Sequence, residues 1–139
     1  MSKHIISKVR LKSASDVSEY LQFENKCNRL LGNDEIRFVG IINNMGNLIS
    51  GGFSEGIDIL ENDEQRRMFY MQMALEIAMR KDFDNTLGKI NHITTNRDNV
   101  LTVTIPMNNY VILISAHPTS VPEQIIAKAH DLGLIQSET

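Results

Sequence analysis

The residues most able to do chemistry lie in a glycine-rich stretch, FVGIINNMGNLISGGFSEG, which spans residues 38–56 and holds five of the chain's eight glycines. Backbone amides in such a stretch could cradle a phosphate group. A Walker-type phosphate loop needs Gly-x-x-x-x-Gly-Lys-Ser/Thr, however, and the segment from Gly51 to Gly56 contains no lysine. Five acids that would repel a phosphate lie in or after this segment: Glu55, Asp58, Glu61, Asp63 and Glu64. A dinucleotide motif, Gly-x-Gly-x-x-Gly, is absent as well, so we predict that the glycines form turns.

The histidines and the cysteine offer little further chemistry. His4, His92, His117 and His130 include no pair three to five residues apart, which a helical metal pair would need. The single Cys27 excludes an internal disulfide and a multi-cysteine zinc site. One enzymatic alternative stays open, in which His92 and His117 meet a nearby acid on the sheet. The sequence otherwise predicts no catalytic residue, no metal site and no cofactor, and so a protein that is not an enzyme.

Charge is unevenly distributed along the chain, whose formal net charge is −3. Residues 1–12 hold four of the 14 basic residues and no acid, which leaves ten bases against all 17 acids in the rest. A basic arm could contact nucleic acid or an anionic membrane. Four charges without aromatic residues are a small footprint, and the body is acidic, so we expect no nucleic-acid partner. We predict a basic N-terminal arm over residues 1–14 and a single domain over residues 15–139.

Length and hydropathy place further limits. A chain of 139 residues suits one domain. No apolar run approaches the roughly 18 residues of a membrane span. Residues 1–12 also lack the apolar centre and small-residue cleavage site of a signal peptide. We therefore expect a cytoplasmic protein without a membrane span.

The first half of the chain predicts a helix followed by a hairpin. Apolar residues recur at helical spacing over about residues 16–31, and Gly32 ends the helix. Cys27 lies on that apolar stripe, so we expect it to be a buried small hydrophobe. Two β-rich runs, Arg37–Asn43 and Leu48–Phe53, flank Asn44-Met45-Gly46-Asn47. Asn and Gly tolerate positive φ, which favours a hairpin turn at this point.

A second helix is predicted over about Asp63–Lys81, with Asn62 and Gln65 as a capping box. It carries two apolar stripes, whereas a surface helix normally needs one. The first consists of Met68, Met71, Leu75 and Met79; the second consists of Tyr70, Met73, Ala74 and Ile77. Either the apolar face is wide and lies under a loop or a neighbouring helix, or one stripe covers the sheet and the other meets a partner. Its methionines suit an adaptable contact surface.

Three strands and a short helix complete the prediction. The strands run over about Lys89–Thr95, Val100–Ile105 and Tyr110–Ala116, and Pro106 closes the middle one. The last strand is almost entirely apolar, which is typical of a central position in a sheet. Ser120 is the expected cap of the final helix, which Gly133 ends. The predicted class is therefore α+β, with a five-stranded antiparallel sheet flanked by helices in the order αββαβββα.

This order resembles that of the roadblock/LC7 superfamily within the profilin-like group. The segment IRFVGIINNMGNLISGG looks like the first hairpin of that family. MQMALEIAMRKDFDNTLGKI and VLTVTIPMNNYVILIS are similar to a group of archaeal proteins related to it. The resemblance implies dimerisation through the long helix and the third strand, with a sheet that continues across two chains. It also implies a scaffold or regulator of small GTPases and no catalytic residue set.

The leading hypothesis is therefore a non-catalytic homodimeric interaction module that regulates a small GTPase. Its predicted interface comprises Met68, Met71, Leu75 and Met79 on the second helix and Ile90, His92 and Thr94, or their opposite-face neighbours, on the next strand. The alternative is a small-molecule sensor with a pocket between the sheet and the second helix.

Overall fold

The computed structural model describes residues 14–135, without the side chains of residues 14–19 and 22. Residues 1–13 of the predicted basic arm lie outside the described residues. The chain forms helices and strands in the predicted order, with one short helix added after the long one. The elements are α1 (Ala14–Leu31), β1 (Ile36–Asn43), β2 (Leu48–Phe53), α2 (Asp63–Arg80), a 3-10 turn (Lys81–Phe83), α3 (Asp84–Leu87), β3 (Ile93–Asn96), β4 (Leu101–Met107), β5 (Tyr110–Ala116) and α4 (Pro122–Asp131).

The five strands form one antiparallel sheet in the order β2-β1-β5-β4-β3. The apolar strand β5 lies in its centre, as predicted. Residues of α1 and α4 pack on one face of the sheet, where Cys27, Leu30 and Ile125 are fully buried. α2 packs on the other face against side chains of β1, β2 and β5. The predicted α+β class and element order are confirmed.

The glycine-rich stretch forms turns and close backbone contacts. Asn43 begins the β1–β2 turn, and its Oδ1 accepts hydrogen bonds from the backbone N–H of Met45 at 3.0 Å and of Asn47 at 2.9 Å. Gly46 follows with φ of +84°. In β2, Gly51 has φ of +109°, and a Cβ there would lie 2.0 Å from the carbonyl oxygen of Val39. These glycines therefore satisfy steric demands of the hairpin.

The two helix N-termini differ in how well the sequence predicts them. At α2 the capping box is present: Asn62 Oδ1 accepts from the Gln65 N–H at 2.8 Å, and Gln65 Oε1 accepts from the Asn62 N–H at 3.0 Å. The prediction that Ser120 caps α4 is wrong. Val121 occupies the cap position, and its side chain makes no capping hydrogen bond. Pro122 decides this start, since its fixed φ suits the first helical position and keeps the preceding residue extended.

The strands β3 and β4 depart from their predicted bounds. β3 begins at Ile93, which pairs with Thr104, so the predicted strand residues 89–92 lie outside the sheet. β4 continues to Met107, and Pro106 lies inside it, paired with Val111 of β5. The prediction that Pro106 closes its strand is therefore wrong. A proline without an N–H is tolerated here because β3 has already left this part of β4.

Candidate interaction surface

The two apolar stripes of α2 point in opposite directions. Tyr70, Ala74 and Ile77 are buried and Met73 is half-buried against the sheet. They pack on a layer of side chains from β1, β2 and β5: Phe38, Ile42, Phe53, Val111 and Leu113. One stripe of α2 thus covers the protein's own sheet, as the second of the two sequence interpretations expects.

A buried charge also belongs to the sheet-facing side of α2. Arg66 is 9% exposed, and its guanidinium lies 4.7 Å from the centre of the Phe53 ring. Its Nη1 is 3.6 Å from Asp63 Oδ1. Nearby, burial raises the pKa of the Tyr70 hydroxyl. Sequence reasoning missed Arg66, because a charged residue beside an apolar stripe normally reads as solvent-facing.

The other stripe faces outward, and we call it the outer face of α2: Met68, Met71, Leu75 and Met79. Their exposed fractions are 53%, 61%, 60% and 62%. No loop or helix of the described part of the chain covers them. Exposed apolar patches mark interaction sites, so this row of four large apolar side chains is the strongest candidate for a partner-binding surface.

An open groove extends the outer face toward the β1–β2 turn. It has a volume of about 710 Å³ and is lined by Met45, Met68, Met71 and Leu75, among others. Met45 is 73% exposed at the tip of the turn. The turn sits against α2 so closely that a Cβ on Gly46 would lie 2.8 Å from the Cα of Met71. Sequence reasoning missed Met45 as part of this surface, although an apolar residue in an Asn-Gly turn was the available signal.

Charged residues lie at both ends of α2. Asp63 and Glu64 lie in its first turn and Arg80 lies in its last turn, where it pairs with Glu76 at 3.0 Å. Glu64 and Arg67 border the groove. Charges of both signs therefore lie at the N-terminal end of the outer face, whereas helical spacing places Arg80 on another side of α2.

The three predicted interface residues after α2 lie in different places. Thr94 is exposed on β3, and its partner Val103 belongs to the core beneath α1 and α4, so Thr94 points to the face opposite α2. Its neighbour Ile93 packs toward the α2 side. Ile90 and His92 line a cavity beside β4. The structure therefore groups the four outer-face residues and sets the other three apart from them.

The histidine pair of the enzymatic alternative is not brought together. His117 follows Ala116, whose β4 partner is Leu101, whereas His92 precedes Ile93, whose β4 partner is Thr104. The two histidines therefore lie toward opposite ends of β4. Among the described residues, no group of three or more His, Cys, Asp or Glu could hold a metal ion.

The expectation that the chain lacks a Gly-x-Ser-x-Gly motif is wrong. Gly52-Phe53-Ser54-Glu55-Gly56 matches the Gly-x-Ser-x-Gly pattern of a nucleophile elbow, which needs an exposed serine on a tight strand-to-helix turn. Ser54 is instead 2% exposed, and its hydroxyl donates to the carbonyl oxygen of Ile36 at 2.8 Å. The next helix begins only at Asp63. Ser54 therefore tethers the end of β2 to β1 and has no exposed nucleophile oxygen.

Cys27 is expected to be unreactive in the folded protein. Its side chain is fully buried, and burial together with the nearby Glu24 charge raises the pKa of the thiol to about 12. At pH 8 the thiolate fraction is then about 10⁻⁴, against roughly a quarter for an ordinary thiol. Labelling by a thiol reagent at pH 8 should be at least about a thousandfold slower than in guanidinium-unfolded protein. Labelling at the same rate in both states would show that Cys27 is accessible.

The fold and its arrangement of helices match solved roadblock/LC7 structures. A roadblock/LC7 domain from Streptomyces avermitilis aligns with a TM-score of 0.61 at 9% identity, covering 78% of this chain and 89% of that one. MglB from Myxococcus xanthus aligns with a TM-score of 0.64 at 14% identity, covering 82% and 90%. An MglB structure with a tetrameric arrangement gives 0.70 at 9% identity, covering 92% and 91%. At these identities the likeness establishes the roadblock/LC7-like fold.

The sequence itself defines the family. Residues 16–131 match the model of DUF6659, described as a family of unknown function, and the chain belongs to that family. No curated protein gives a significant sequence match. None of the described helices is long and apolar enough to cross a membrane.

Proposed function

We propose that this protein is a non-catalytic interaction module that forms a homodimer through the outer face of α2 and regulates a small GTPase. The observation that carries the proposal is the outer face itself. Met68, Met71, Leu75 and Met79 are each more than half exposed on a well-formed helix whose other side already holds its sheet. Burial of such side chains is favourable by roughly 25 cal/mol per Å² of apolar surface.

A two-fold arrangement, in which the same apolar face of each copy meets the other, suits a second copy of this chain as the occupant of that face. A two-fold axis perpendicular to α2 would pack the helices of the two copies antiparallel, each about 27 Å long. Met71 of one copy would then face the region of Leu75 of the other. Helix dipoles favour this antiparallel arrangement.

The edge strand β3 supports the same assembly. β3 ends the sheet, is only four residues long, and has exposed side chains at Thr94 and Thr95. An edge strand presents backbone donors and acceptors that another chain can pair with. The resemblance to roadblock/LC7 proteins implies such a sheet across two chains. Participation of Ile90, His92 and Thr94 in the interface stays a prediction.

The GTPase role rests on the family resemblance, which the roadblock/LC7-like fold supports. A composite sheet and helix surface formed by two copies would offer a GTPase a site that a monomer lacks. Binding should therefore depend on both dimerisation and nucleotide state. A regulator must distinguish the GDP-bound and GTP-bound states of its target, since a partner with equal affinity for both states does not change their relative populations.

Binding to nucleotide-loaded GTPases tests this proposal. Purified small GTPases from the source organism would be loaded with GDP or a non-hydrolysable GTP analogue and titrated onto the immobilised protein. We expect one of them to bind at least about tenfold more tightly in one nucleotide state, a difference of about 1.4 kcal/mol. Leu75→Asp should remove that binding and Leu21→Asp should retain it. If the folded wild-type dimer binds no GTPase in either nucleotide state, the GTPase role is contradicted and the homodimer proposal is unaffected.

A further inference from the structure

A cavity of about 660 Å³ lies at the β3 edge of the sheet, away from the outer face of α2. It is enclosed by the C-terminal end of α2, the segment before β3, the end of β4 and α4. Ligand sites for small molecules typically have volumes of about 300–1,000 Å³. The size is therefore that of a binding site.

The cavity exists because β3 separates from β4. The last pair between them is Ile93 with Thr104, although β4 continues to Met107. Pro106 has no N–H to donate to a longer β3. Gly88, with φ of +87°, turns the chain after α3, and residues 89–92 then run beside the sheet edge without joining it. The gap is thus built by specific residues of the fold.

One part of the lining is apolar and comes from four separate segments. Branched aliphatic side chains surround this part of the cavity: Ile77, Ile90, Ile105, Ile126 and Ile135. Ile77 and Ile105 are buried in the two cores, so this wall is fixed by packing on both faces of the sheet. Such a wall suits a hydrocarbon body of a ligand.

The polar part of the lining consists mainly of hydrogen-bond donors. Lys81 and Lys89 supply ammonium groups, His92 and His130 supply ring N–H groups, Asn91 and Asn108 supply amides, and Asp84 is the single acid among the described residues that line the cavity. Beyond residue 12 the chain has ten bases against 17 acids, whereas the described lining of the cavity has two lysines against one acid. A ligand with a negative group would be matched by this lining, whereas a cation would not.

We propose that this cavity binds a small organic carboxylate with an apolar body. The isoleucine wall would hold the hydrocarbon part and Lys81, Lys89, His92 and His130 would surround the carboxylate. The inference goes beyond the proposed function. The outer-face residues Met68, Met71, Leu75 and Met79 do not line the cavity, whereas Ile90 and His92, which belong to the predicted interface, do line it.

Titration with octanoate, followed by ¹H–¹⁵N NMR on the full chain, tests the proposal. We expect saturable shifts at backbone amides of Ile90, His92, Ile126 and His130, and no comparable shifts around Met71. Octanamide, which has the same body without the charge, should bind at least about tenfold more weakly, because it cannot form charge-assisted hydrogen bonds with the lysines. Equal binding of both compounds, or shifts centred on the outer face of α2, would overturn the proposal.

Variants that remove charges from the cavity lining provide a second test of the proposal. The double variant Lys81→Gln and Lys89→Gln removes both charges, keeps polar side chains and should weaken octanoate binding at least about tenfold, while Lys26→Gln, whose lysine does not line the cavity, should leave it unchanged. If the double variant fails to fold, His130→Gln, at an exposed position of α4, serves instead and should weaken binding by about threefold or more. No octanoate binding by the wild type at millimolar concentration would overturn the inference.

Leu75→Asp separates this inference from the proposed function. The variant should become monomeric and still bind octanoate with wild-type affinity, since Leu75 lies outside the cavity lining. Loss of octanoate binding by a folded Leu75→Asp monomer would show that the cavity needs the dimer, which contradicts the inference as stated.

Discussion

Leu75→Asp is expected to convert the protein from a dimer to a folded monomer. Leu75 lies near the middle of the outer face of α2 and is 60% exposed in the single chain, so an aspartate there is hydrated in the monomer. In the proposed dimer each copy would bury an unpaired carboxylate. Leaving a buried charge without a partner costs about 3–5 kcal/mol, which corresponds to a dissociation constant at least about a hundredfold higher. Molar mass by light scattering and circular dichroism would measure both outcomes.

Leu21→Asp is the matched control. Leu21 lies on α1, on the other side of the sheet, and is 63% exposed, so the substitution is the same at nearly equal exposure. This variant should stay dimeric. If Leu75→Asp is folded and still dimeric, the interface lies elsewhere. If both variants dissociate, the dissociation reflects the added negative charge, and the result no longer supports the outer face of α2 as the interface.

Gly51→Ala should lower the free energy of unfolding more than Gly56→Ala does. A Cβ at this position would lie 2.0 Å from the carbonyl oxygen of Val39 and 2.7 Å from the Cα of Gly40, so backbone must move. The positive φ of +109° adds strain for any L side chain. We expect a loss of more than about 3 kcal/mol, measured by urea unfolding.

Gly56→Ala separates the two causes. Gly56 also has positive φ, at +79°, but a Cβ there would meet no atom within 4 Å. Strain alone should therefore cost about 1–2 kcal/mol. Equal losses at Gly51 and Gly56 would mean that backbone strain dominates and that β1 can move aside at Gly51.

Local signals were read correctly from the sequence where few neighbours decide the outcome. Asn62 and Gln65 form their capping box entirely within one helical turn, so spacing alone predicts it. The turn at Asn43–Asn47 likewise depends on its own side chain and on Gly46. Cys27 was correctly expected in the core because helical periodicity reports which side of α1 faces the sheet.

The failures have tertiary causes. Residues 89–92 belong to the predicted third strand, yet β3 starts at Ile93, because the β4 edge beyond Thr104 includes Pro106 and offers no regular ladder. Ser120 has the right spacing for a cap, but Pro122 fixes the helix start one residue later than that cap would give. Met45 joins the candidate surface only because its hairpin folds against α2, a contact between distant segments. Sequence periodicity gives no information about such contacts.

The candidate surface was only partly accessible to sequence reasoning. Two stripes on α2 predicted one face toward the sheet and one face away, and burial follows this division. Which strand residues accompany the outer face could not be read from the sequence, since it depends on the register of Thr94 with Val103 and on where β3 leaves the sheet. The domain limits at residues 15–139 and the likeness to archaeal members stay predictions.

Molar mass in solution, measured by light scattering across a hundredfold range of wild-type concentration, tests the central claim most directly. The outer face of α2 predicts a stable value near twice 15.7 kDa at all but the lowest concentrations. A value that remains at 15.7 kDa throughout the range would contradict the homodimer and leave the outer face of α2 to a different protein.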